Sequence, residues 1–297
     1  MPVQSELGRF GSVEIRQPYD GSEIVLRASA RVAGAIDSLT WRGTAFINSY
    51  DHGRELQSAS SFNNWGECFN PTEAGSRDDG TGWTSTSRLL SLRVARQRLT
   101  TRTRMAFWLA PGEQCRSGLR AINDRVQSDH ELTKVVTIGA HGLANVIEHA
   151  VSYHVPASYD RGSFEALTAY LPPAFSQSWS YDPEQDRLEA YVDSRGPQPL
   201  PVVLATVDGN FALGVYSAGV RNSKLAAFGF RRWQFAHLEG RGNATMKWSC
   251  LFVLRTVPAG DYPFTCYTIV GSLDQVRATM RELSHIVPRI GGDGRRR

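Results

Sequence analysis

Apolar and polar side chains alternate through most of this chain, and the alternation comes in short bursts. It is clear in SVEIR, EIVLRASA, AIDSLTW and AFIN near the start. It continues in RLLSLRVARQRL, RTRMAFWL, LTKVVTI, ANVIEHAVSYHV and FEALTAY, then in RLEAYVD, PVVLATV, NFALGVYS, LAAFGFRRWQF, TMKWSCLFVLR and PFTCYTIV. Gly, Pro, Asn or Asp separates most of these segments. A period of two bounded by turn residues marks half-buried strands that return on one another, so the chain reads as an all-β, antiparallel protein. Within ANVIEHAVSYHV, Ile147, His149, Val151 and Tyr153 share one face, and Glu148 and His154 lie on the other. His149 on the apolar face reads as a core histidine, whereas His154 near the strand end is freer to meet a ligand.

One segment switches to helical spacing. Leu273, Val276, Met280, Leu283 and Val287 recur at intervals of three and four, Ser272 with Gln275 forms a capping box, and Pro288 ends the run. The expectation is one short C-terminal helix with its apolar stripe on a sheet, followed by a disordered basic tail at 291–297. No internal repeat is visible. PPAFSQSWSYDPEQD and DSRGPQPLP read as connections between strands, so residues 1–290 are expected to form a single β-sandwich domain.

Composition narrows the classes without naming a function. At 297 residues with 41% apolar and 21% charged, the chain is an ordinary globular sequence, not collagen, coiled coil or wholesale disorder. Its net charge of +4 is partly carried by Arg295, Arg296 and Arg297, which argues against a nucleic-acid partner. No run approaches the roughly 18 apolar residues of a membrane span, and the first residues lack the blocks of a secretory signal, so no membrane association and a cytoplasmic location are expected, with an exported origin left open. Cys68, Cys115, Cys250 and Cys266 include no CxxC pair, which points to buried free thiols and to neither zinc nor a disulfide framework. No metal and no cofactor are expected; a homo-oligomer is left open.

The long irregular stretch is 51–87, DHGRELQSASSFNNWGECFNPTEAGSRDDGTGWTSTS. Loops of this length are functional or mobile, and Phe62, Trp65, Phe69 and Trp83 favour an ordered, functional one. Just before it, GAIDSLTWRGTAFINSYDHGRELQ at 34–57 resembles the opening of the galactose-mutarotase-like β-supersandwich superfamily, the superfamily of aldose 1-epimerases. The likeness rests on Ala33, Gly34, Ile36, Ser38, Leu39, Trp41, Gly43, Ile47, Asn48 and the Asp51 to Arg54 motif. It implies an antiparallel β-supersandwich and a sugar ligand; a two-sheet jelly roll fits the same strand list. The epimerases' histidine pair and C-terminal glutamate have only loose counterparts, in His141, His149 and His154 and in Glu239 and Glu282. That departure argues against a plain mutarotase.

The candidate chemistry follows from residue type. Asp51, His52 and Arg54 close a strand with a proton-transfer pair and a cation for sugar oxygens. Glu67 and Glu73 lie on the aromatic loop, and two carboxylates are the minimum for splitting a glycosidic bond. Glu73, set in NPTEAG, is the first choice. Glu165 in FEALTAY shares a strand face with Leu167 and Ala169, with Tyr170 opposite, and a carboxylate there is suited to acid catalysis. Of Lys247 and Trp248, which alternate on a late strand, only one can face a site. Trp65 or Trp83 is expected under the sugar ring, with Arg54 and Asn70 at its hydroxyls and Tyr170 and His154 as further substrate contacts. The leading expectation is a carbohydrate-active enzyme that cleaves or transfers a glycosidic bond by carboxylate chemistry. The alternatives are an aldose or sugar-phosphate 1-epimerase, a polysaccharide lyase, and a non-catalytic sugar-binding module.

Overall fold

The structure is a computed structural model and describes residues 11–193, 196–235 and 244–290. The expected basic tail at 291–297 and Glu239 lie outside the described residues.

Strands β1 (Ser12–Tyr19), β2 (Ser22–Ser29), β3 (Ile36–Trp41) and β4 (Thr44–Ala45) form a four-stranded sheet in that order. The remaining strands are β5 (Gln57–Phe62), β6 (Pro71–Thr72), β7 (Arg88–Ala95), β8 (Arg98–Phe107), β9 (Gln127–Ile138), β10 (Val146–Val155) and β11 (Gly162–Leu171), then β12 (Gln177–Asp182), β13 (Arg187–Ala190), β14 (Val202–Ala205), β15 (Ala212–Tyr216), β16 (Leu225–Phe235), β17 (Thr245–Leu254) and β18 (Gly260–Gly271). They make one 14-stranded sheet in the order β13-β12-β14-β15-β18-β10-β9-β8-β6-β5-β11-β17-β16, with β7 sharing an edge of β8. All paired neighbours run antiparallel.

The long sheet folds back so that β10 and β18 face β5, β11 and β17, which makes a sandwich. The Tyr153 hydroxyl on β10 donates to the carbonyls of Ala59 on β5 (3.0 Å) and Glu165 on β11 (2.8 Å). Phe264 on β18 stacks 4.4 Å from Phe252 on β17 and lies 5.3 Å from Phe164 on β11. Each such side chain, fully removed from water, contributes about 1.5 to 3 kcal/mol. The four-stranded sheet joins the same apolar cluster through Trp41, 5.8 Å from Phe211, and Phe46, 5.1 Å from Phe175. His149 is buried in this interior, as its strand face implies.

Helix α1 spans Leu273–Ile286 behind the expected capping box, with the Ser272 Oγ accepting from the Gln275 amide at 3.3 Å and the Gln275 Oε1 from the Ser272 amide at 2.9 Å. Val276, Met280 and Leu283 are buried against β14, β15 and β18. Gly214 on β15 allows this approach, since a Cβ there would lie 2.4 Å from the Met280 methyl.

The chain is thus an all-β antiparallel sandwich with one C-terminal helix. Three local expectations change. RLLSLRVARQRL is not one strand but the β7–β8 hairpin, turning at Arg96 with φ 53°. The proline-bearing connection after Leu171 contains β12, which pairs with β13 and β14. The stretch 51–87 contains β5, a central strand that reads QSASSF without apolar alternation, its residues buried except the half-buried Ser61.

Candidate functional site

The cleft begins with that polar strand. β5 lies between β6 and β11, and its serines pair within the sheet: Ser58 Oγ donates to the Ala166 carbonyl (2.8 Å), and the Ser60 carbonyl accepts from the Asn70 amide (2.6 Å). Next to it, β11 carries a β-bulge. Its register with β17 steps from Glu165 opposite Leu251 to Leu167 opposite Cys250, which leaves Ala166 as the extra residue. An extra residue shifts face parity by one. Glu165 and Tyr170, assigned to opposite faces by strict alternation, therefore look into the same space, together with Ser163 and Thr168.

That space is a cleft of about 610 Å³ on the outer face of β5, β11, β17 and β16. Loops from three parts of the chain wall it. The 51–54 turn contributes Asp51 and Arg54, whose groups lie 3.3 Å apart. Gly53 lets the Trp108 ring lie against this turn, because a Cβ there would stand 2.6 Å from the indole. The second wall, 64–70, brings Trp65, Glu67 and Asn70, and the third brings Arg116 and Leu119. Glu67 joins the last two walls by accepting from the Trp108 indole N–H (3.2 Å) and the Arg116 amide (3.1 Å). Cys68 and Cys115 join them covalently, with Cα atoms 5.6 Å apart. This disulfide corrects the expectation of free thiols for this pair: 47 residues separate the two cysteines, and only the fold brings them together. Cys250 and Cys266 are free and buried.

The floor carries a charged centre. Lys247 on β17 stands directly between Tyr170 on β11 and Trp233 on β16, with its ammonium 5.0 Å and 4.5 Å from the two ring centroids. It donates to both oxygens of Glu165, at 2.8 and 3.2 Å. Burial pulls the ammonium pKa down, but Glu165 and the Tyr170 hydroxyl pull it up further, and the net value lies above that of an ordinary lysine. Burial raises the Tyr170 phenol, with Lys247 opposing. At neutral pH both groups hold their protons. Trp248, the alternate residue, is fully buried in the core. Phe235 stacks on Tyr170 at 6.3 Å, and the Arg116 guanidinium lies 5.7 Å from the Phe235 ring, so an aromatic wall continues up to a cation at the rim.

The cleft thus gathers Asp51, Arg54, Trp65, Glu67, Asn70, Glu165 and Tyr170 from the candidates read in the sequence. It leaves out four. Glu73, the first choice for proton transfer, is fully buried on the interior side of β5, where it pairs with Lys134 and accepts from the Ser58 amide at 2.8 Å. His52 is buried, its ring nitrogens each 2.9 Å from a carbonyl oxygen, of Gly80 and of Arg31, so it fastens the 51–54 turn to its neighbours. His154 sits at an exposed site 2.8 Å from Asp261. Trp83 borders a different cavity. Of the loose epimerase counterparts, His141, His149 and Glu282 are also absent from the lining. Lys247, rather than Trp248, is the one of that pair that faces the site, and Trp108, Arg116, Trp233 and Phe235 are among the lining residues that the sequence did not single out. The signals for Lys247 are the scarcity of lysine, found only at 134, 224 and 247, and its alternation with Trp248. Among the described residues, no group of three or more His, Cys, Asp or Glu stands ready to hold a metal ion, and no helix is long and apolar enough to cross a membrane.

No family model matches the chain, and no curated protein matches it. Among solved structures it is similar to an alpha-mannosidase from Enterococcus faecalis, at 11% identity and a TM-score of 0.49 over 97% of this chain and 32% of that one. It is also similar to the heparan sulfate lyase HepC from Pedobacter heparinus, at 9% identity and 0.46 over 90% and 36%. A third similar structure is an alpha-galactosidase from Lactobacillus brevis, at 12% and 0.43 over 90% and 40%. The chain spans less than half the length of each. Likenesses this distant carry no functional argument, and the reading below rests on the cleft.

Proposed function

We propose that this chain is a carbohydrate-active enzyme that breaks a glycosidic bond in the cleft, with Glu165 as the base and Tyr170 as the proton donor. The observation that supports it is the Glu165–Lys247–Tyr170 centre on the floor of an aromatic-walled cleft. Lys247 orients the carboxylate by donating to both of its oxygens. Tyr170, raised by burial, keeps its proton for the leaving oxygen. Trp65, 36% exposed on the wall, offers its face to a sugar ring, and Arg54 and Asn70 meet hydroxyls. Asp51 and Glu67 are the further carboxylates lining the cleft. The fold and the 34–57 segment keep this reading within the range of mutarotase-like sandwiches.

Hydrolysis and elimination use the same pair. In hydrolysis Glu165 takes a proton from water; in elimination it takes the proton beside a uronate carboxylate. Lys247 and Arg54 are already paired with Glu165 and Asp51, so the cleft charge does not by itself choose between the two routes. Incubating the full chain with neutral and uronic-acid oligosaccharides and weighing the products decides between them. Water is added in hydrolysis, and an unsaturated sugar is left by elimination. Binding without any product supports a sugar-binding module instead. The Cys68–Cys115 bond favours an oxidising compartment over the cytoplasm read from the sequence.

A further inference from the structure

Gln57 opens β5 and lines the cleft beside the Glu165–Lys247–Tyr170 centre. The pairing of β5 with β11 sets Ala59 opposite Glu165 and Gln57 opposite Thr168. Thr168 lies between Glu165 and Tyr170 along β11, and all three line the cleft. Gln57 shares a face with Ala59 two residues, about 7 Å, further along the strand. It is therefore level with the gap between the proposed base and the proposed proton donor.

The Gln57 side chain is fixed as well as placed. It is only 3% exposed, and the Ala74 backbone N–H donates to its Oε1 at 3.1 Å. A backbone N–H meets the oxygen branch of an amide and not the nitrogen branch, so Nε2 is the branch turned away from Ala74. Nε2 has no hydrogen-bond partner among the described residues, and the open space the side chain borders is the cleft. Asn70 is fixed the opposite way, its nitrogen donating to the Ser60 carbonyl at 2.6 Å and its oxygen left over. The cleft thus presents one oriented amide donor, at the reacting centre. A donor held this deeply is stabilised when an oxygen meets it and is costly when left unpaired.

We infer that Gln57 is a substrate-contacting residue that sets specificity: its Nε2 donates to an oxygen of the reacting sugar, of a hydroxyl or a carboxylate, and sugars with no oxygen there are rejected. The inference rests on the reading of the cleft as a glycan-cleaving site. Gln57→Glu and Gln57→Met test it in the full chain. Glu keeps an oxygen for the Ala74 amide and Met keeps the position uncharged, so the two variants share only the loss of the donor. The measurements are kcat/KM on xylo-, cello-, chito- and galacturonate hexamers, and a thermal melt of each variant. Both variants should lower kcat/KM by about tenfold or more on a hexamer the wild type processes. A donor to a carboxylate gives that loss on the galacturonate hexamer alone, and a donor to a hydroxyl gives it on the neutral hexamers. Only Gln57→Met, which leaves the Ala74 amide without its acceptor, should lower the melting temperature. If Gln57 only braces Ala74, Gln57→Glu keeps full activity. Wild-type kcat/KM in either folded variant overturns the assignment, and a loss from Glu165→Gln in the same assay then leaves the cleft reading standing. No product from any hexamer with the wild-type chain overturns both.

Discussion

Two lysine–glutamate pairs sit on opposite sides of the same sheet region, and they have different fates. Lys134 and Glu73 are sealed in the sandwich interior, with side chains 1% and 0% exposed. Lys247 and Glu165 lie on the cleft floor at 9% and 23%. The interior carboxylate spends one oxygen on Lys134 and the Ser58 amide, while its Oε1 has no hydrogen-bond partner among the described residues. The cleft carboxylate gives both oxygens to Lys247 and keeps an open side. The same ion pair is therefore structural where neither partner meets solvent, and available for chemistry where one does. A buried pair is a weak source of net stability, yet breaking it is costly because one charge is left without its counterion.

The largest separation between the two pairs should appear in turnover. Glu165→Gln is expected to lower it by about a hundredfold to ten-thousandfold, with a smaller loss of melting temperature than Glu73→Gln because this pair is less buried, read by product formation beside a thermal melt. Equal activity of the variant would remove Glu165 from the chemistry. Glu73→Gln should do the reverse. It strands Lys134 in the interior and should cost about 3 to 5 kcal/mol of stability, measured by denaturant titration, with sugar affinity kept wherever the protein remains folded. The double change Glu73→Leu with Lys134→Met should recover much of that loss, because it removes both charges.

Reducing Cys68–Cys115 addresses the cleft side alone. In the chain-entropy account a loop of 47 residues is worth about 4 kcal/mol. Cys68→Ser with Cys115→Ser should lower the melting temperature, and sugar affinity should fall even at temperatures where the protein is folded, since the bond joins two cleft walls. Affinity unchanged in the folded variant would show that the hydrogen bonds of Glu67 and of the Cys68 carbonyl hold those walls without the disulfide.

Acid should reach the covered side first. His130 packs beside the Phe62 and Tyr159 rings, and burial pulls its imidazole down to about 4. The unfolded chain takes up that proton near 6.5 and the folded one only near 4, so this contribution is complete above pH 6.5 and is lost as the pH falls toward 4, about 3 kcal/mol in all. His149, held well below the ordinary value by burial and then by Lys134, acts in the same direction. Denaturant midpoints between pH 7 and 4 check this, and His130→Phe should flatten the slope.

Period-two alternation sufficed for the antiparallel class, most of the strands and the buried His149, and helical spacing with a capping box sufficed for the helix from Leu273, because these depend on local spacing and on which side chains avoid water. The aromatic loop already pointed to a walled site and contained Arg54, Trp65 and Asn70. What only the tertiary structure decided depends on contacts between distant residues. β5 was illegible because its small polar residues, which line the cleft on one face and hydrogen-bond within the fold on the other, show no apolar alternation. The single extra residue at Ala166 reversed the side of every residue after it on β11, so Glu165 and Tyr170 met where alternation had separated them. Cys68 found Cys115 only once the two walls were folded together. Glu73 and Glu165 are each a glutamate in a plausible setting along the chain; the side of the sheet each one faces, set by pairing partners tens of residues away, made one an interior ion pair and the other the floor of the cleft.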